Sequence, residues 1–173
     1  ASVIAHASEL GIGNVIGNSL GFFNVDAAVL MCDFVNFLPS DKVVLEILET
    51  VEITDALVVR VAELVAQGFT FALDDVISHS DALKDLLPLI KIIKIDITGM
   101  NPCELGKLAD HFRLEGKLLL AEKVETVEQF ETCMKLGFHY FQGYYFARPV
   151  ILSGKKLAPS QLAIMQLMSL IMA

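Results

Sequence analysis

Thr54-Asp-Ala-Leu-Val-Val-Arg-Val-Ala-Glu-Leu-Val-Ala-Gln-Gly68-Phe-Thr-Phe-Ala-Leu-Asp74-Asp75 changes its hydrophobic period once, at the glycine. Before Gly68, Leu57, Val61, Leu64 and Val65 recur at helical spacing, so one stripe of a helix over Asp55 to Gln67 is apolar. Thr54 has the chemistry of an N-cap, and Gly68 suits the left-handed residue that stops a helix. After Gly68 the run from Phe69 is apolar at nearly every position and ends on two carboxylates. A strand buried on both faces reads this way, and such strands belong to parallel sheets.

The same unit recurs on either side. Strand-like runs appear at Gly21-Phe-Phe-Asn-Val25, Val43 to Leu48, Ile92 to Asp96, Lys117 to Ala121 and Tyr140 to Phe146. Asn101-Pro102 opens a helical stretch that closes at Gly116, with proline at the first helical position. Thr126-Val-Glu-Gln129 is a capping box, and Gly137 ends the helix it opens. Alternation of this kind predicts an α/β fold with a mostly parallel sheet and right-handed crossovers. A closed eight-stranded barrel takes about 200–250 residues, whereas this chain has 173. Six strand runs predict an incomplete (β/α)8, TIM-like barrel whose N-terminal strand or strands are missing.

Composition narrows the function classes. Hydrophobic residues make up 54% of the chain and the net charge is −8. The acidic balance argues against nucleic-acid binding, which needs a basic face. No apolar run has the roughly 20 residues of a membrane span, and the N-terminus lacks a signal-peptide layout. The chain therefore reads as cytoplasmic. Cys32, Cys103 and Cys133 are odd in number and not spaced as a metal pair, so they read as reduced, mostly structural thiols. His6, His79, His111 and His139 are scattered. Gly11-Ile-Gly13-Asn-Val-Ile-Gly17 resembles a dinucleotide fingerprint but precedes the first strand instead of following one, so it reads as a helix stop and a loop.

Polar residues collect where a barrel puts its chemistry. Asn24, Glu46, Asp74 with Asp75, Lys94 with Asp96, Glu122 and Gln142 each fall at or near the end of a successive strand. The intervals are 22, 28, 20, 28 and 20 residues, counting Lys94 for the fourth strand. One carboxylate ending a strand is commonly a cap or a salt-bridge partner, but five successive ends carrying such groups point to a site on the C-terminal rim. Hard oxygen donors with one lysine suit Mg²⁺ or Mn²⁺ and a phosphate ester.

Leu45-Glu-Ile-Leu-Glu49, Leu73-Asp-Asp75, Ile93-Lys-Ile-Asp96, Ala121-Glu-Lys-Val-Glu-Thr126 and Gln142-Gly-Tyr144 follow the order and spacing of EAL domains. The chain resembles that family from Asn24 to Pro149. EAL domains are cyclic-di-GMP phosphodiesterases on a modified TIM barrel. The resemblance implies that Asn24, Glu46 and Asp74 are metal ligands and that Asp75 serves a second metal. It makes Lys94 a holder of the attacking water or phosphate, Glu122 the general base, and Gln142 an orienting residue. Glu49 and Glu125 would brace the loop beyond Asp75.

Three departures from the family pattern accompany the match. Active members carry a Glu-Ala-Leu strand ahead of these motifs, whereas this chain opens with a helix-like run over Val3 to Leu10. The loop after Asp75 reads Val76-Ile-Ser-His-Ser-Asp81 in place of a Phe-Gly start and a glycine- and serine-rich lid. Lys123 stands where active members usually have glycine. The expectation is a degenerate, non-catalytic signalling domain with no cofactor bound, Mg²⁺ or Mn²⁺ being the ion if the site functions. The alternatives are a cyclic-di-GMP receptor and a weakly active phosphodiesterase.

Leu45 to Val51, Ala121 to Thr126 and Ser153-Gly-Lys-Lys156 resemble proteins that join a degenerate EAL domain to an all-helical HDOD domain. This predicts a barrel domain over 1–152, then a linker and an apolar helix over 153–173 that leads toward a missing domain. Leu162 to Ala173 is apolar on nearly every side, so it is expected to pack on the barrel, an HDOD neighbour, another protein or a second copy in a homodimer. The rival reading is a membrane-surface helix, which would want a basic face and a long amphipathic pattern.

Overall fold

The computed structural model describes residues 17–74 and 83–147. Within them six strands form one parallel sheet in the order of the chain, curled into part of a barrel. These are β1 (Gly21–Val25), β2 (Val43–Ile47), β3 (Thr70–Leu73), β4 (Ile92–Asp96), β5 (Leu118–Glu122) and β6 (Tyr140–Phe141). The connections carry α1 (Ala27–Leu30), α2 (Asp55–Ala66), α3 (Pro102–Leu114) and α4 (Val127–Lys135), with 3-10 turns at Asp33–Phe37 and Leu87–Leu89.

The helices begin where their caps put them. The Thr54 side chain accepts from the Leu57 amide, and Asn101 accepts from those of Cys103 and Glu104. Thr126 and Gln129 make both halves of a capping box. Sequence pattern alone did not single out α1, which Asp26 caps by accepting from the Val29 amide at 2.8 Å. A four-residue helix is too short to show a period.

Strand period sorts the residues onto two faces. Phe23, Val25, Leu45, Ile47, Phe71, Leu73, Ile93, Ile95, Leu119 and Ala121 share the main core with helix residues such as Leu57, Leu64, Ala109 and Phe112. Burying each large aliphatic side chain there contributes about 1.5–3 kcal/mol. Val44, Ala72, Ile92 and Leu120 alternate with them and make a second, smaller cluster, lined by Phe22, Leu118 and Tyr140. Two residues further along the strands, that second face turns polar.

Two expectations need correction. The run from Tyr140 to Phe146 is a strand only over Tyr140–Phe141. Gly143 then passes so close to β5's exit that a Cβ there would lie 2.1 Å from the Val124 carbonyl oxygen. The Val124 amide donates to the Gln142 carbonyl, and the Tyr145 amide to that of Val124, so the chain turns instead of extending. Of the three cysteines only Cys133 is buried and structural, with burial pushing its thiol up to about 11. Cys32 and Cys103 are exposed. The expectations for Val3 to Leu10, Gly11 and Gly13, His79, the loop Val76 to Asp81 and the segment 153–173 lie outside the described residues.

Candidate functional site

Register brings the polar strand ends together. In the ladders Asn24 pairs with Glu46, and Asp96 with Glu122. Asp74 follows directly on β3, its amide donating to the Ile47 carbonyl, so it stands at the exit of β2 as well. The strands therefore deliver these side chains to one rim at their C-terminal ends, as the sequence pattern predicts.

The centre of that rim is a cation. The Lys94 ammonium lies 2.5 Å from Asp74 Oδ1, 2.9 Å from Glu122 Oε1 and 3.1 Å from Glu46 Oε1. Its side chain is 4% exposed, against 7% for Glu46, 11% for Glu122 and 13% for Asp74, so the interaction is screened little by solvent. Burial by itself presses the ammonium toward losing its proton. Hydrogen bonds to Asp74 and Glu122 and the charges of Glu46 and Glu122 more than reverse that, holding Lys94 above the ordinary lysine range.

Three carboxylates around one ammonium leave an excess of negative charge. Glu46 absorbs the imbalance. Burial outweighs the pull of Lys94 on it, and the Asp74 charge adds to burial, so its carboxyl is held above the ordinary glutamate range.

Lys123 forms the outer layer. It is the one non-glycine residue with positive φ among those described, at 57°. That backbone favours glycine and costs an ordinary residue about 1–2 kcal/mol. Its ammonium pairs with Asp96, whose other oxygen accepts from the Thr98 amide at 2.9 Å. Burial would raise the Asp96 carboxyl, but the bonds from Lys123 and Thr98 hold it below the ordinary range. Sequence reading noted the missing glycine at 123 but not this pair. The signal was there in the i, i+2 placement of Lys94 and Asp96 beside Glu122-Lys123.

The remaining candidates are spread outward. Asn24 and Gln142 are exposed at the two edges of the sheet, on β1 and just beyond β6. Glu49 and Glu125 are exposed, and the Glu125 amide donates to Gln129 Oε1 at 2.8 Å as part of the α4 cap. Asp75, the expected second-metal ligand, lies outside the described residues, as does the loop that Glu49 and Glu125 would brace.

The donors are hard oxygens, chemically right for Mg²⁺ or Mn²⁺. Their disposition is not. The carboxylates are arrayed about the Lys94 ammonium, and among the described residues no three acidic, histidine or cysteine side chains are placed to hold an ion. As arranged, the three carboxylates converge on the Lys94 ammonium.

Comparison with known proteins agrees with this architecture. The model of the EAL domain family matches residues 29–149. The cyclic di-GMP phosphodiesterase CdgJ of Vibrio cholerae is 36% identical over 170 residues, which are 95% of this chain and 38% of CdgJ. The protein YuxH of Bacillus subtilis is 32% identical over 160 residues, 90% of this chain and 39% of YuxH. The chain thus spans about two fifths of the length of these curated relatives. Among solved structures, the Bacillus subtilis YkuI protein, with an EAL domain and in complex with cyclic-di-GMP and calcium, superposes with a TM-score of 0.66 at 22% identity. That match covers 98% of this chain and 49% of YkuI. No helix among the described residues is long and apolar enough to cross a membrane. Six parallel strands with their acidic ends on one rim, and a family match over most of the same residues, have one reading: this chain belongs to the EAL domain family.

Proposed function

We propose that this chain is a non-hydrolysing EAL domain of cyclic-di-GMP signalling, which acts through protein contacts rather than through turnover. The observation that carries the reading is Lys123, which stands on left-handed backbone where active members usually have glycine and pairs with Asp96 beside the rim. Two-metal cleavage of a phosphodiester needs both ions positioned to activate one oxygen while the other leaves. Lys123 adds a second cation at the mouth, paired with Asp96. The family resemblance still marks Asn24, Glu46, Asp74 and Asp75 as the ligand positions of active members. It likewise marks Glu122 as the position of the general base and Gln142 as that of the orienting residue. The partner proposed is an adjacent helical domain of the HDOD kind, on the resemblance carried by Leu45 to Val51, Ala121 to Thr126 and Ser153 to Lys156.

A second reading, metal-dependent cyclic-di-GMP phosphodiesterase, is favoured by the 36% identity to CdgJ, which is named for that activity. Retention of Glu46, Asp74, Lys94 and Glu122 also fits a receptor that binds the dinucleotide. Calorimetry with cyclic-di-GMP on the intact protein separates the three. Heat without Mg²⁺ and no product identifies a receptor. Heat that needs Mg²⁺, followed by product, identifies a phosphodiesterase. No heat in either condition is the result expected for a pure protein-interaction domain.

A further inference from the structure

Helix α4 buries only part of its apolar arc. Cys133 faces the core and is fully buried, and Phe130 is half-buried beside it. At 100° per residue the arc continues from Phe130 to Met134 and Val127. Those two are 52% and 48% exposed. The aromatic residues after β6 extend the same surface. The Phe130 ring stacks on Tyr145 at 5.9 Å and meets Phe146 edge-on at 5.5 Å, yet Tyr145 and Phe146 remain 41% and 48% exposed. Five large apolar side chains on one continuous surface are unusual for an outer helix, where apolar residues normally occur singly. An acidic group borders it, Glu131, exposed on α4, with Glu128 exposed further round the helix.

We propose that this face is the seat of the chain's own tail, with Leu162 to Met172 packing on Val127, Phe130, Met134, Tyr145 and Phe146. Among the described residues nothing covers the surface, and the tail lacks a surface: as a helix it would be apolar on nearly every side and could not stand in water alone. Reach is no obstacle. Leu162 follows Phe146 by 16 residues, about 50–55 Å of extended chain, against about 14 Å for the length of a nine-residue helix. Charge matches too. From Arg148 onward the chain carries Arg148, Lys155 and Lys156 and no acidic residue, although its net charge is −8. Lys155 and Lys156 would pass by Glu128 and Glu131. This inference does not depend on whether the rim is catalytic.

A photo-crosslinking amino acid placed at Met134 of the full chain, followed by peptide mass spectrometry, tests it. The expected product is an intramolecular link to a peptide from 160–173, with the mass of a single chain. Met134→Glu combined with Phe146→Glu should increase the rate of protease cleavage within the tail by at least tenfold, and a control change at exposed Val59 should not. Links that join two copies would overturn the proposal in favour of a dimer face. A crosslinker that reacts only with water, or a tail cleaved equally fast in both variants, would show that the face and the tail are unrelated.

Discussion

Lys94 neutralises a cluster that would otherwise hold three buried carboxylates with no countercharge, so removing its charge should do more harm than removing one acid. Lys94→Met is expected to cost about 3–5 kcal/mol, the range for breaking a buried ion pair from one side. Glu46→Gln should be neutral or stabilising, because burial already works against its charge. Urea denaturation of the two variants checks the order, and a milder effect for Lys94→Met would contradict it. The pH dependence follows from the same groups. Glu46 is raised in the fold, so its contribution is present below the ordinary glutamate value and is lost as pH rises through the raised one. Asp96 is depressed, so its contribution is present above the ordinary aspartate value and is lost as pH falls through the lowered one. Glu46→Gln should therefore flatten the fall in stability on the alkaline side of about 4.3, and Lys123→Ala should flatten the fall in acid. Most of these residues could be picked out from sequence, since type and spacing mark strand ends. Their partnership could not. Which carboxylates a lysine bonds depends on sheet register to within one residue, and a one-residue slip reverses every side chain.

At the scale of single elements, two joints fix the rim. Thr126 and Gln129 tie the start of α4 to the loop that leaves β5. Gly143 lets β6 turn against Val124. Thr126→Ala should cost about 1 kcal/mol, and Gly143→Ala about 1–3 kcal/mol as an overpacked contact, both read by thermal unfolding. A Gly143→Ala protein as stable as the parent would mean the close approach is not maintained in solution. The capping box was legible because both of its partners lie within four residues. The early end of β6 was not, because Gly143 meets Val124 from a distant part of the chain. At Lys123 the two contributions oppose: relief of the left-handed backbone against loss of an exposed pair worth about 0.2–1 kcal/mol. Lys123→Gly should leave stability within about 1 kcal/mol of the parent while tightening Mg²⁺ binding measured by calorimetry. Unchanged Mg²⁺ binding would remove Lys123 from any account of the site.

Across the whole molecule, parallel order and a shared rim were legible from alternation alone, because a βαβ connection has essentially one handedness and places successive strand ends side by side. Sequence did not reveal that the rim arranges its acids around its own cation. The proposed reading, that the fold keeps the residues of a phosphodiesterase without being set to cleave, rests on Lys123 and its pair with Asp96. The most direct measurement is product formation from cyclic-di-GMP by the intact protein, followed by chromatography with saturating Mg²⁺ and, separately, Mn²⁺. No product above the metal-only blank is predicted in either case. Steady product from the unmodified protein, abolished by Glu122→Gln, would contradict the claim and make Lys94 a residue that moves aside for the metal.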